Sequence, residues 1–145
     1  MADELIVVYC GVVYPHQCDH MGHLNVQHYV AKFDEATWRL MAAIGVTSAY
    51  ISENHFGVAA IRENISYRRE LMAGDLVTVR SCVLEISPKH IRFYHEMKND
   101  QTGQLSATTV ITAVHMDLQK RKTCPFPQEI VEQASHLIVA INPVI

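Results

Sequence analysis

Residues 16–45 read HQCDHMGHLNVQHYVAKFDEATWRLMAAIG, and this stretch decides the fold. Its second half is periodic. Tyr29, Phe33, Ala36, Leu40 and Ile44 recur at three- and four-residue spacing, so a helix over about 26–44 carries them on one face. Asn25 is placed to cap its start and Gly45 its end. Its first half is chemically crowded, with Cys18, Asp19 and the histidines His16, His20, His23 and His28 in a loop and first helical turn.

Outward from the helix the pattern changes to period two. Leu5 to Tyr14 (LIVVYCGVVY) is β-branched and aromatic, a strand that Pro15 stops, with Gly11 placed for a bulge. After Gly57 come strands at Val58–Glu70, Leu76–Ile86, His90–Lys98 and Gln104–Leu118. Turns at Met72–Asp75, Ser87–Lys89 and Asn99–Gly103 separate them. Tight turns between consecutive strands imply an antiparallel sheet. Residues 128–139 are expected to form a short helix. One long helix on one face of an antiparallel sheet is an α+β layer, in one domain over residues 1–145, with no repeat or linker dividing it.

Composition narrows the classes. The 145 residues are 49% hydrophobic and 19% charged, with formal net charge -3. A nucleic-acid partner is not expected from that charge. The N-terminus opens with acids rather than a basic segment ahead of an apolar one, so no secretory signal is read. No apolar run approaches the ~20 residues a membrane span needs. Cys10, Cys18, Cys82 and Cys124 are scattered without a CxxC pair and read as reduced thiols, Cys10 and Cys82 inside strands. The expected compartment is the cytoplasm, with no membrane partner.

Two places carry candidate chemistry. Asp19 lies just before a helix start, where backbone N–H groups are unpaired and the dipole is positive. A carboxylate beside such donors can attack an acyl carbon or activate a water for that attack. Asp19 could equally cap its loop. Glu63 shares its parity with Ala59, Ile61, Ile65 and Tyr67, an apolar set on one strand face. An acid there is costly unless paired or given a task; a β-bulge that flips the register explains it as well. His20, His23 and His28 with Asp19 and Cys18 offer ligand types, but their spacing matches neither HExxH nor paired CxxC, so no metal is expected.

The run Asp19-His20-Met21-Gly22-His23-Leu24-Asn25, then Tyr29 and Phe33-Asp34-Glu35-Ala36, resembles the D-x-x-G-H-x-N-x-x-x-Y pattern of the 4-hydroxybenzoyl-CoA thioesterase family. Tyr67-Arg68-Arg69-Glu70-Leu71 with Gly74-Asp75 resembles that family's turn into its second hairpin. The resemblance implies a hot-dog fold, an antiparallel sheet wrapped round one long helix. It implies hydrolysis of an acyl-CoA thioester, with coenzyme A in the substrate and no cofactor. Asp19 would be nucleophile or general base, and the Val26 backbone N–H would polarise the carbonyl. Gly22 would allow the tight turn, with His23, Asn25 and Tyr29 around the substrate. Members assemble as homodimers or dimer-based tetramers with the site between subunits, where Glu63 would face Asp19. Lys89 and Arg92 lie where relatives hold the nucleotide end of coenzyme A; Lys120-Arg121-Lys122 is a second basic cluster. Arg68 and Arg69 are placed to pair with Glu70 or Asp75. Two alternatives stay open: a hot-dog hydratase or dehydratase using His23 and Glu63, and a non-catalytic acyl-CoA-binding module.

Overall fold

The computed structural model describes residues 4–143. In chain order the elements are β1 (Ile6–Val12), α1 (Val26–Ala43), α2 (Ser48–Asn54) and β2 (Phe56–Tyr67). Then follow β3 (Leu76–Ile86), β4 (His90–Asn99), β5 (Leu105–Asp117), β6 (Lys122–Thr123) and α3 (Gln128–Ser135). The strands form one antiparallel sheet in the order β1-β3-β4-β5-β2, with β6 added on β5. This is the α+β hot-dog architecture, with α1 as the central helix.

The expected face of α1 is the buried one. Tyr29, Phe33, Ala36, Leu40 and Ile44 pack into a single core with Val77, Val79 and Val83 of β3 and Ile91, Phe93 and Met97 of β4. Asn25 caps the helix by accepting the Gln27 N–H at 3.1 Å. At the other end the Val46 N–H returns to the Met41 carbonyl at 2.9 Å. Gly45 sits there at φ 100°, a conformation that costs glycine little.

Three expectations need correction, and one further element is present. The turn at 72–75 does not join neighbouring strands: β2 is an edge strand on β5, and β3 lies between β1 and β4. The chain therefore crosses the end of the sheet over residues 68–75. The irregularity in β1 falls at Val8, between Val7 and Tyr9, and not at Gly11. Gly11 instead lies beneath the Tyr9 ring, where a Cβ would collide with it. A further helix, α2, occupies 48–54, with the Thr47 hydroxyl accepting the Tyr50 N–H at 3.2 Å. Helix α3 stops at Ser135, because the next residues turn to the sheet, where the Val139 N–H meets the Val83 carbonyl at 3.2 Å.

The sheet holds α1 partly through a buried polar contact. His95 of β4 is fully buried. The Thr37 hydroxyl donates to the Phe33 carbonyl at 2.9 Å and faces His95 Nε2 at 2.9 Å. With its hydrogen so used, Thr37 can only accept, which fixes the Nε2–H tautomer. Ser81 of β3 then donates to Nδ1. Phe33 stacks on the ring at 5.9 Å. No helix among the described residues is long and apolar enough to cross a membrane.

Burial lowers the His95 pKa from 6.5 to about 3. Between those values the unfolded chain binds a proton that the folded chain does not. The contribution is complete above pH ~6.5 and is lost as pH falls toward 3, by at most ~1.4 kcal/mol per pH unit. Denaturant titrations from pH 7 to 4 are expected to show this slope. A His95→Gln variant, though weaker at pH 7, should lose stability less steeply on acidification.

Candidate active site

The loop between Pro15 and α1 folds back on itself. The Asp19 N–H donates to the His23 carbonyl at 2.9 Å and the Gly22 N–H to the Asp19 carbonyl at 3.0 Å. Cys18 and Leu24 bridge as a two-residue ladder. Gly22 takes φ 88° at the tip, where a side chain would meet no atom but the backbone itself would be strained. The Asn25 N–H reaches back to the Gln17 carbonyl at 2.9 Å, and the Leu24 N–H reaches out to the Leu71 carbonyl at 2.8 Å. That last bond ties the loop to the crossover segment.

A cleft of about 330 Å³ opens between the two. Asp19, Met21, His23, Leu24, Val26 and Tyr29 form one wall, and Tyr67, Arg68, Arg69 and Glu70 the other. The Asp19 side chain is only 14% exposed. Its Oδ1 accepts the Met21 N–H at 2.9 Å, and its Oδ2 faces His23 Nδ1 at 3.8 Å. The other nitrogen of His23 faces Glu70 Oε2 at 3.7 Å. The imidazole thus stands between two carboxylates. Val26 is the first residue of α1, and its N–H has no acceptor among the described residues, as a helix start leaves it. Tyr29 meets Tyr67 edge to face at 5.1 Å, and burial pushes its phenol up to about 12.

The structure therefore brings Asp19, His23, Val26 and Tyr29 to one cleft. Gly22 shapes the loop and Asn25 caps the helix, its side-chain oxygen spent on Gln27. Glu63 lies elsewhere. A register shift between Ala60 and Arg62 puts the bulge that parity alone left open into β2. Beyond it Glu63 pairs with Ile111 and lines a smaller cleft with Val30, Asp34 and Thr37. The Thr109 hydroxyl donates to it at 3.3 Å. Partial burial pushes its carboxyl above the usual range, and the nearby Asp34 charge adds to that. Glu63 is thus not beside Asp19 within one chain, and His23 meets Asp19 and Glu70 instead.

Lys89 and Arg92 lie at the β3–β4 turn, away from the cleft, and Arg92 is paired with Glu85 at 3.2 Å. Arg68 and Arg69 pair with neither expected acid. Glu70 faces His23, and Asp75 Oδ2 accepts the Met72 N–H at 2.8 Å. The second wall was missed because its residues follow a strand that reads as leading into a hairpin. Tyr67-Arg68-Arg69-Glu70 carries a turn signal and a charge-pairing signal, and neither says that the run lies against the loop of Asp19. Among the described residues no three His, Cys, Asp or Glu side chains are grouped to hold a metal ion.

Comparison with known proteins follows the same outline. A family model described as the thioesterase-like superfamily matches residues 13–134. Betainyl-CoA thioesterase of Pseudomonas aeruginosa is 26% identical over 94% of this chain and 86% of its own length. A long-chain acyl-CoA thioesterase of Escherichia coli is 23% identical over 80% of this chain and 87% of its own. Among solved structures, a Staphylococcus aureus protein in complex with CoA superposes with TM-score 0.89 at 19% identity, covering 98% of this chain and 90% of that one. A 1,4-dihydroxy-2-naphthoyl-CoA thioesterase from Synechocystis superposes with TM-score 0.78 at 21% identity, covering 89% and 95%.

Gly22→Ala tests the loop. The left-handed backbone should cost about 1 kcal/mol, read as a lowered melting temperature. The accompanying change should be local, seen as amide shifts at 18–26 and not across the sheet.

Proposed function

We propose, from the premise that the chain belongs to the thioesterase-like superfamily, that Asp19 is the group with which it hydrolyses an acyl-CoA thioester to the free acid and coenzyme A. The observation that carries this is the shared cleft, with a largely buried carboxylate and the acceptor-free N–H of Val26 on one wall. The two supply what thioester cleavage needs, a nucleophile or base and a donor for the oxygen that becomes negative.

Two routes use the same atoms. In one, an Asp19 oxygen attacks the thioester carbon; the Val26 N–H holds the oxyanion; collapse expels the thiolate and leaves a mixed anhydride that water opens. In the other, Asp19 takes a proton from water as that water attacks. Either way the sulfur leaves with the C–S electron pair and must gain a proton. His23, set between Asp19 and Glu70, is positioned to relay it. The acyl groups for which the two relatives are named differ, betainyl in one and long-chain in the other. Coenzyme A is what they share, so this reading commits to it and leaves the acyl group open.

A homodimer or dimer-based tetramer belongs to the proposal. Strand β2 is an edge of 12 residues, and exposed edges invite pairing. Ile61, Tyr67, Val26 and Val30 are exposed beside it. Light scattering on the purified chain should report a mass at least twice the monomer.

Thiol release from a panel of acyl-CoA thioesters tests the chemistry. Asp19→Asn can still accept the Met21 N–H, so the loop should hold its shape and the melting temperature should move little. Turnover should fall by about 10²–10⁴-fold. Equal turnover with and without the carboxylate would remove Asp19 from the mechanism.

A further inference from the structure

We propose that Glu70 is a positioning residue for the reaction, holding the His23 imidazole so that the nitrogen facing Asp19 carries the proton to the departing sulfur. The inference rests on the reading of the chain as an acyl-CoA hydrolase and deepens it, because neither the Asp19 carboxylate nor the Val26 amide delivers that proton by itself.

The backbone fixes where these side chains stand. The Leu24 N–H donates to the Leu71 carbonyl at 2.8 Å, so His23 and Glu70 each come one residue before an end of the same hydrogen bond. On the crossover the Arg68 and Arg69 amides both donate to the Ser106 carbonyl of β5, at 2.8 and 3.2 Å. Glu70 is thus flanked on both sides by anchored residues. On the loop the His23 carbonyl accepts the Asp19 N–H at 2.9 Å. The side chains meet across the cleft, with Nδ1 of His23 3.8 Å from Asp19 Oδ2 and Nε2 3.7 Å from Glu70 Oε2. The Glu70 carboxylate faces this ring rather than either neighbouring arginine. These are ion-pair separations, and catalytic hydrogen bonds are often long without substrate and tighten around it. The two acids differ in setting, Asp19 being 14% exposed and Glu70 65%. The covered acid is the one beside the reacting carbon, and the open one acts on it through the ring.

A neutral imidazole has one N–H and one lone pair, and the partner of one nitrogen sets the state of the other. An ionised carboxylate only accepts, so Glu70 selects the Nε2–H form and leaves the Nδ1 lone pair toward Asp19. Hydrolysis puts the hydroxyl of water on the acyl carbon and its proton on sulfur, while the C–S bond breaks with its electron pair on sulfur. In the general-base route Asp19 takes that proton and passes it to Nδ1, and His23 gives it from Nδ1 to the thiolate. In the anhydride route His23 gives a proton already held at Nδ1, and the water that opens the anhydride restores it. In both, the ring passes through an imidazolium whose far nitrogen donates to Glu70, the arrangement by which a third group orients a catalytic histidine. The opposite tautomer would carry hydrogen on Nδ1 and could take none from Asp19. Tyr29, Tyr67, Arg68 and Arg69 also line the cleft. Burial raises both phenols and arginine stays charged, so none of the four exchanges a proton near neutral pH.

The test compares the wild type with Glu70→Ala and Glu70→Gln on two thioesters of one acyl group. One is the coenzyme A ester, whose alkyl thiolate needs a proton to leave well. The other is the p-nitrothiophenyl ester, whose thiolate leaves without one. Alanine removes the acceptor, and glutamine keeps an oxygen for the Nε2–H but loses the charge. On the coenzyme A ester kcat should fall about tenfold or more in Glu70→Ala, as expected for losing a hydrogen bond to a charged group. Glu70→Gln should lose less, and KM should change little in either. On the aryl ester both variants should match the wild type. The melting temperature should hold, because the side chain is exposed. An unchanged kcat on the coenzyme A ester overturns the proposal, as does an equal loss on both esters, which a merely distorted cleft would give. Nitrogen-resolved NMR of the His23 ring, without substrate, separates this from the hydrolysis reading. The neutral ring should be the Nε2–H tautomer in the wild type and a mixture in Glu70→Ala. If the wild type cleaves neither ester yet the tautomer changes in this way, Glu70 still positions His23 and the hydrolase reading falls. A tautomer unaffected by Glu70→Ala removes Glu70 from the role whether or not thioesters are cleaved.

Discussion

The hydrogen bond from the Leu24 N–H to the Leu71 carbonyl, at 2.8 Å, is the contact on which the site depends. It joins two stretches far apart in sequence, the loop before α1 and the crossover after β2. Without it the cleft would have one wall. The crossover lies there because β2 pairs with β5 while β3 pairs with β1 and β4, so the chain must pass across the sheet end, by the start of the helix. A second tie, from the Val13 N–H to the Asp75 carbonyl at 2.9 Å, fixes the far end of the crossover to the strand that precedes the loop. The wall is therefore fastened at both ends by backbone contacts, which do not depend on side-chain identity.

The helix that supplies the Val26 amide is itself held by the core. Phe33, Leu40 and Ala36 are fully buried, and each large apolar side chain taken from water contributes about 1.5–3 kcal/mol. The Thr37–His95–Ser81 chain adds direction to that attraction, since a buried imidazole must keep both nitrogens satisfied. Apolar attraction is non-directional, and this chain adds a directional contact between the helix and the two central strands. A rigid helix start is what an electrostatic site requires, because a donor that must reorganise during the reaction stabilises less.

The sequence was informative where one local rule decides. The apolar face of α1, its Asn25 cap and the antiparallel strands follow from spacing and from turn residues, and each is found in the structure. It was less informative where two rules compete. Met72-Ala73-Gly74-Asp75 is a turn by composition, and it is a turn in space, with the Asp75 N–H on the Met72 carbonyl at 3.0 Å. Composition cannot say whether such a turn closes a hairpin or ends a crossover, and in this fold it ends a crossover. In β2 the alternation reads cleanly only within each half, because the bulge at Ile61 shifts parity between Ala60 and Arg62. Glu63 thus keeps company with Ile65 and Tyr67 as expected, but joins Asp34 in a separate cleft. At the site, the acid, the helix start and the tight glycine were legible from residues 19–29. The opposite wall was not, because its proximity is a product of topology.

The central claim is that a thioester carbonyl lies between the Asp19 carboxylate and the Val26 amide. A crystal structure of the protein with a non-hydrolysable ketone analogue of an acyl-CoA, its sulfur replaced by methylene, tests this most directly. The account predicts the ketone oxygen within hydrogen-bond distance of the Val26 nitrogen and the ketone carbon facing an Asp19 oxygen. A well-ordered analogue whose ketone lies outside this cleft, with Asp19 still turned to Met21 and His23 and no part of the ligand near it, would contradict the account.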